Sequence, residues 1–205
     1  MSVSLIIIAL TVGLSLLAFQ NAAFFEKALF RPYLMKHHNE WWRWVSSGFI
    51  HLDYGHLFVN MLSFYFFGAY VESAFGVITE SSNGIMFLIF YLSAIVVSGM
   101  YDYNRHQDQY AYSALGASGA VSAVIFSYVM FDPFGSIYLY FFIKLPAWMF
   151  GLLYLFYEYY MGKKQMDNIG HNAHFFGAVY GLLFPVIIHP ATGLAFIQKF
   201  AALFQ

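Results

Sequence analysis

A serine set among small residues, Gly116-Ala117-Ser118-Gly119, stands where a polar run gives way to an apolar one. A hydroxyl at such a junction, with neighbours too small to cover it, is a candidate nucleophile, and a serine hydroxyl attacks only when an adjacent base takes its proton. Two histidines, His171 and His174, open a later apolar run. His56 and Asn60 are four residues apart, hence on one helix face, with His51 just upstream. Neutral imidazole and amide groups donate hydrogen bonds without bringing a full charge into lipid, so this pair could wall in a developing anion. Each piece also has a purely structural reading. Small residues let membrane helices pack closely, and a lone G-x-S-G is a weak signal.

The elements that would carry these groups are membrane spans. Of the 205 residues, 61% are hydrophobic, 22% aromatic and only 9% charged, against a usual apolar share of about 45–50%. The chain reads as an all-α integral membrane protein of one domain, residues 1–205, with room for a single bundle and no second domain. A net charge of −1 without a basic run gives no electrostatic reason for a nucleic-acid partner. The absence of cysteine excludes disulfides and thiolate chemistry.

Six spans are expected, at about residues 3–19, 56–72, 85–100, 118–131, 146–160 and 171–189. The first reads as a span rather than a cleaved signal, since no Lys or Arg precedes it and no small-x-small site follows. Residues 20–54 mix basic side chains with Trp41, Trp42 and Trp44 and read as an ordered interfacial loop. The second span closes at Glu72, Pro146 opens the fifth, residues 136–145 form an aromatic connection, and the tail lies along the surface. Ser118 to Phe131 is too short to cross about 30 Å of hydrocarbon at 1.5 Å per residue. The loop before it therefore dips into the membrane, re-entrant and buried in protein or lining a wet cavity. Ala173, Gly177 and Gly181 repeat at spacing four, as do Gly119 and Ala123. Packing these two small faces would bring Ser118 to His174.

In this order the residues resemble the rhomboid intramembrane serine proteases. The resemblance runs from Glu40 onward and rests on Trp42-Arg43, on Phe49-Ile50-His51 with His56-Leu57-Phe58-Val59-Asn60, on Gly68 and Glu72, on Gly116-Ala117-Ser118-Gly119, and on Ala173-His174 with Gly177 and Gly181. It implies a six-helix bundle whose wet cavity opens on the non-cytoplasmic side of a bacterial-type inner membrane. It further implies a Ser118–His174 dyad, without an obligatory acid, that cleaves the transmembrane segments of protein substrates in the lipid bilayer. By the same analogy the Ser118 backbone N–H, His56 and Asn60 stabilise the oxyanion, His51 and Gly119 support the site, and Gly116 shapes the loop. No cofactor and no metal are implied.

Some positions depart from that pattern. The family often carries an aromatic residue four positions after the serine, stacked on the catalytic imidazole, where this chain has Ser122. Asp167 lies seven residues before His174 and reads as a solvated loop charge rather than its orienting partner. Seven of the nine Lys and Arg fall in loops that the family arrangement places outside, against the positive-inside preference. His37, His38, His106 and His189 read as interfacial, and Arg43 and Glu72 as structural ties. His51, His56, His171 and His174 could in number hold zinc, but no H-E-x-x-H occurs and Asp53 is the only carboxylate within three residues of any of them. Two competing classes are an inactive relative that binds membrane clients, which should lack the serine or histidine, and a small transporter lined by histidines. The soluble hydrolase elbow G-x-S-x-G fails at Ala120.

Overall fold

Apolar runs of this length fold as helices because, in hydrocarbon, every backbone N–H and C=O has to be bonded within the protein. The computed structural model describes residues 2–81, 84–139, 142–164, 167 and 169–204. The domain ends Met1 and Gln205, and parts of the connections at 79–83, 136–145 and 163–170, lie outside the described residues. The long elements are α1 (Val3–Gln20), α5 (Tyr54–Ile78), α6 (Ile85–His106), α7 (Ser118–Phe131), α8 (Ala147–Lys164) and α9 (His171–Ile188). Four of these, α1, α5, α6 and α9, are long and apolar enough to cross a membrane.

Between α1 and α5 the interfacial stretch is largely helical: α2 (Ala22–Ala28), α3 (Pro32–His38), α4 (Arg43–Ser46) and a 3-10 turn at Ser47–Phe49. Arg43 ties it together. Its Nη1 donates to the carbonyls of Glu26 and Leu29, and its Nε to the Glu40 carboxylate. Glu72 accepts the N–H groups of Val3 and Ser4 at 2.7 and 2.9 Å, occupying donors that α1 cannot satisfy within itself. Both residues are ties, as their types and positions imply.

Several boundaries differ from the sequence reading. α5 does not close at Glu72 but runs two further turns to Ile78, because the residues beyond Glu72 remain apolar and Phe75 is buried in the core. α6 runs past Met100 to His106, so Asp102 and Arg105 are helical rather than loop residues. Pro146 ends a strand instead of opening the fifth span. Residues 136–145 hold a hairpin, β1 (Ser136–Leu139) against β2 (Ile143–Pro146), antiparallel with Ser136 opposite Pro146 and Leu139 opposite Ile143, so the described chain is not wholly α. The β-branched and aromatic Ile137, Tyr138 and Ile143 favour that extended state. The tail forms α10 (Ala191–Ala201).

The core gathers on α7, which packs against α5, α6, α8 and α9. Its small and apolar residues are buried on every side, as expected of a helix apolar all round. The pairing of α7 with α9 is closest. A Cβ at Gly177 would collide with the carbonyl of Gly119, and one at Gly181 with the carbonyl of Ala123. A buried proline, Pro185, lies within α9 and leaves the carbonyl of Gly181, four residues back, without its helical donor. The Ser127 hydroxyl of α7 fills that place, donating to Gly181 O at 2.8 Å.

Candidate active site

Ser118 is the first residue of α7. Ala117 precedes it as N-cap without a side-chain cap bond, and the first N–H groups of a helix have no acceptor inside it. The Ser118 N–H therefore stands outside the helical ladder, at the end where the helix dipole favours negative charge. The loop leading to it is held from three directions. Phe30 and Ala114 exchange backbone hydrogen bonds at 2.9 and 3.0 Å, Gly116 N–H donates to Ser47 O at 2.9 Å, and Leu115 packs on Ala18, Ala28, Leu29 and Ile50. Gly116 has φ +115°, a conformation L side chains rarely adopt, and a Cβ there would come within 2.8 Å of the His56 ring. His56 and Ser118 thus share the space that glycine leaves open.

His174 arrives from the first turn of α9. Its Nε2 lies 2.7 Å from Ser118 Oγ, the contact expected from packing the two small faces. Gly119, Ala173, Gly177 and Gly181 all serve that approach, with Ala173 O close against Gly119. Ser118, His174 and His56 are each only partly buried, so the pair is not sealed from its surroundings. Asp53 caps α5 by accepting the His56 N–H at 2.8 Å, which fixes His56 in the first turn. Asn60 lies one turn on, buried, and its Nδ2 donates to His56 O at 2.9 Å. Of its two amide hydrogens one remains for another acceptor. Among the described residues Asn60 makes no direct hydrogen bond to Ser118 or His174.

His51 is fully buried, edge-on to His56 with ring centroids 4.9 Å apart. Its tautomer follows from its partners. The Ser15 hydroxyl donates to Phe49 O, so it accepts from His51 Nδ1–H at 3.0 Å, and His51 Nε2 is left to accept the Ala117 N–H at 3.5 Å. The ring thereby braces the residue before the serine. Burial, then the neighbouring His56, lower the His51 pKa to about 4, against a smaller opposing pull from Asp53.

Between pH 6.5 and about 4 the unfolded chain binds a proton at residue 51 and the folded chain does not, so stability is complete above that window and declines as pH falls through it. A separation of that size corresponds to about 3 kcal/mol. Thermal unfolding in detergent should show a steeper loss from pH 6.5 to 4 for the native protein than for His51→Gln. Identical slopes would dissociate His51 from the effect.

Glu158, on α8, was not singled out in the sequence. Its side chain is 5% exposed; Oε1 accepts from His174 Nδ1 at 3.2 Å and Oε2 faces His171 Nδ1 at 2.5 Å. The available signal was a lone carboxylate within the aromatic run Tyr154 to Tyr160, since ionisable groups inside a span are rare and functional by default. Asp167 meets His171 Nε2 at 3.0 Å and so touches the cluster without reaching His174. Its side chain is 33% exposed, and the Ile169 N–H, then His171, hold its carboxyl below the usual range. Ser122, at the position where an aromatic was expected, exchanges a 2.7 Å hydrogen bond with the Tyr154 hydroxyl of α8.

The four-histidine set considered for zinc is not how the ligand-type atoms group. Glu158, His171 and His174 instead bring three such atoms within 4.8 Å of one another, and each takes part in the hydrogen bonds just described. The outlying histidines have local partners: His37 pairs with Asp108, His106 stacks on Tyr112, and His189 meets Thr192.

The profile of the Rhomboid domain family matches residues 38–191, which contain every residue of the site. The chain is also 31% identical over 144 residues to "RHOMBOID-like protein 12, mitochondrial" of Arabidopsis thaliana. That alignment covers 65% of this chain and 42% of the relative, so the chain matches less than half of that protein's length.

Proposed function

Since this chain belongs to the rhomboid family, we propose that it is an intramembrane serine endopeptidase cleaving peptide bonds in or near the transmembrane segments of other proteins. The observation that carries the reading is the 2.7 Å contact between Ser118 Oγ and His174 Nε2. In this mechanism His174 takes the hydroxyl proton as Ser118 attacks the scissile carbonyl, then donates it to the leaving amine. The Ser118 N–H at the start of α7, with His56 and the free amide hydrogen of Asn60, receives the negative charge on the tetrahedral oxygen. His51 and Gly116 keep those donors in place. No cofactor or metal enters.

The protein is an integral membrane protein, and the proposal extends to its arrangement. The chain forms a single domain of six spans, in which α7 and α8 join α1, α5, α6 and α9. At about 21 Å, α7 needs the 107–117 loop to descend into the bilayer to reach it, and the bonds to Phe30, Ser47 and His51 supply the buried backbone partners such a loop requires. The site faces the non-cytoplasmic side of a bacterial-type inner membrane. A substrate helix has to lose backbone hydrogen bonds before attack, so helix-weakening residues near the cut are favoured.

The test is labelling by a serine-directed fluorophosphonate, together with cleavage of a transmembrane reporter in proteoliposomes. Adduct at Ser118, with both activities lost in Ser118→Ala, is the expected result. A native protein that binds the reporter but neither labels nor cleaves would identify a client-binding relative. Ion flux indifferent to Ser118→Ala would identify a transporter.

A further inference from the structure

We infer that Glu158 is a positioning residue that converts the Ser118–His174 pair into a serine–histidine–carboxylate triad, with His171 and Asp167 holding the carboxylate in place. The inference rests on the proteolytic reading above. Its basis is a continuous chain of contacts: Ser118 Oγ to His174 Nε2 at 2.7 Å, His174 Nδ1 to Glu158 Oε1 at 3.2 Å, Glu158 Oε2 to His171 Nδ1 at 2.5 Å, and His171 Nε2 to Asp167 Oδ1 at 3.0 Å.

The chemistry of each link assigns the next. An ionised carboxylate only accepts hydrogen bonds, so His174 carries its proton on Nδ1 and turns the lone pair of Nε2 to the serine, the one tautomer that can act as base. His171 has a carboxylate oxygen facing each ring nitrogen, Glu158 Oε2 at Nδ1 and Asp167 Oδ1 at Nε2, and so ties the two acids into one network. With both of its oxygens facing a histidine nitrogen, Glu158 is compensated for its burial within the bundle, which would otherwise be costly.

During attack the Ser118 Oγ–carbon bond forms, the carbonyl electron pair moves onto oxygen, and the Oγ proton passes to His174 Nε2. The resulting imidazolium keeps its Nδ1–H on Glu158, which stays ionised throughout. When the C–N bond breaks, the Nε2 proton leaves with the amine. Water then repeats the sequence to release the acyl group, returning its proton to Ser118.

Helix α8 makes this possible because Tyr154 and Glu158 are four residues apart and share a face. Tyr154 bonds Ser122 and its hydroxyl lies beside Glu158. One helix thus supplies, by hydroxyl and carboxylate, the orientation that an aromatic at position 122 would have given by stacking.

Steady-state cleavage by the full-length protein in proteoliposomes tests this with Glu158→Gln and Glu158→Asp. Loss of the carboxylate should lower kcat on the order of 10⁴-fold, as loss of a triad carboxylate does, and leave KM within about twofold, because a group that acts only through the base contributes to the transition state alone. Glu158→Asp should recover part of the loss. In a His174→Ala background, the slow fluorophosphonate labelling of Ser118 should be unaffected by adding Glu158→Gln, whereas a merely structural residue would cost as much again.

Native kcat in folded Glu158→Gln, alongside an inert Ser118→Ala, would overturn the triad and leave the protease intact. A native protein that neither cleaves nor labels would overturn both. Should Glu158→Gln fail to fold, nitrogen-15 spectra of histidine-labelled native protein decide the matter. His174 as the Nδ1–H tautomer is expected, and the Nε2–H tautomer overturns the assignment.

Discussion

Substituting His174 with alanine should reduce kcat for transmembrane substrates on the order of 10⁴ to 10⁶-fold, with little change in KM. The imidazole meets Ser118 at 2.7 Å, and once it is gone no other described group stands ready to take the hydroxyl proton. Because base and nucleophile act as one unit, the double variant Ser118→Ala/His174→Ala should be no slower than either single one. A reporter turned over in proteoliposomes over hours gives the range needed. His174→Ala within about tenfold of native would mean that the close contact is not the reacting pair.

The second large effect concerns the helices that carry that pair. Gly177→Val and Gly181→Val should each prevent stable folding, because the new side chains would meet the carbonyls of Gly119 and Ala123, which are backbone. Overpacking a core where side chains can give way costs about 1–3 kcal/mol; here α7 and α9 would have to separate, and Ser118 would leave His174. Monodisperse yield and thermal unfolding in detergent read this out. Gly13 on α1 provides the control, since a Cβ there meets nothing within 4 Å. Gly13→Ala should be neutral or slightly stabilising, as expected for replacing glycine inside a helix. If Gly181→Val unfolds no more readily than Gly13→Ala, the close approach of α7 and α9 is not required.

What could be read from residues alone follows from what each signal encodes. The small residues of α7 and α9 repeat every four positions, which is a statement about a helix face, so their pairing and the meeting of Ser118 with His174 were legible. Ser118 to Phe131 matched its helix to the residue, because a small-residue loop and Asp132-Pro133 bound it. Helix ends were less legible where polarity and continuity disagree. Asp102 and Arg105 read as loop, yet α6 carries them through and buries Asp102. Glu158 was invisible for a different reason. Its significance lies in which histidines face it, and those belong to a helix reached only after the 163–170 connection. Likewise Ser122 looked like a missing aromatic until Tyr154 supplied its partner from α8.

The bond from Ser127 to the carbonyl that Pro185 leaves vacant has a mechanical consequence. Lipid offers no substitute donor, so pulling the two helices apart would strand a bare oxygen in hydrocarbon, at a cost of several kcal/mol. Ser118 and His174 are in effect mounted on a single stiff frame, stapled further along the two helices at Ser127 and Gly181. Under the proposed function, any opening wide enough to admit a substrate segment would have to come from the walls around that frame, leaving the alignment of the Ser118–His174 pair undisturbed.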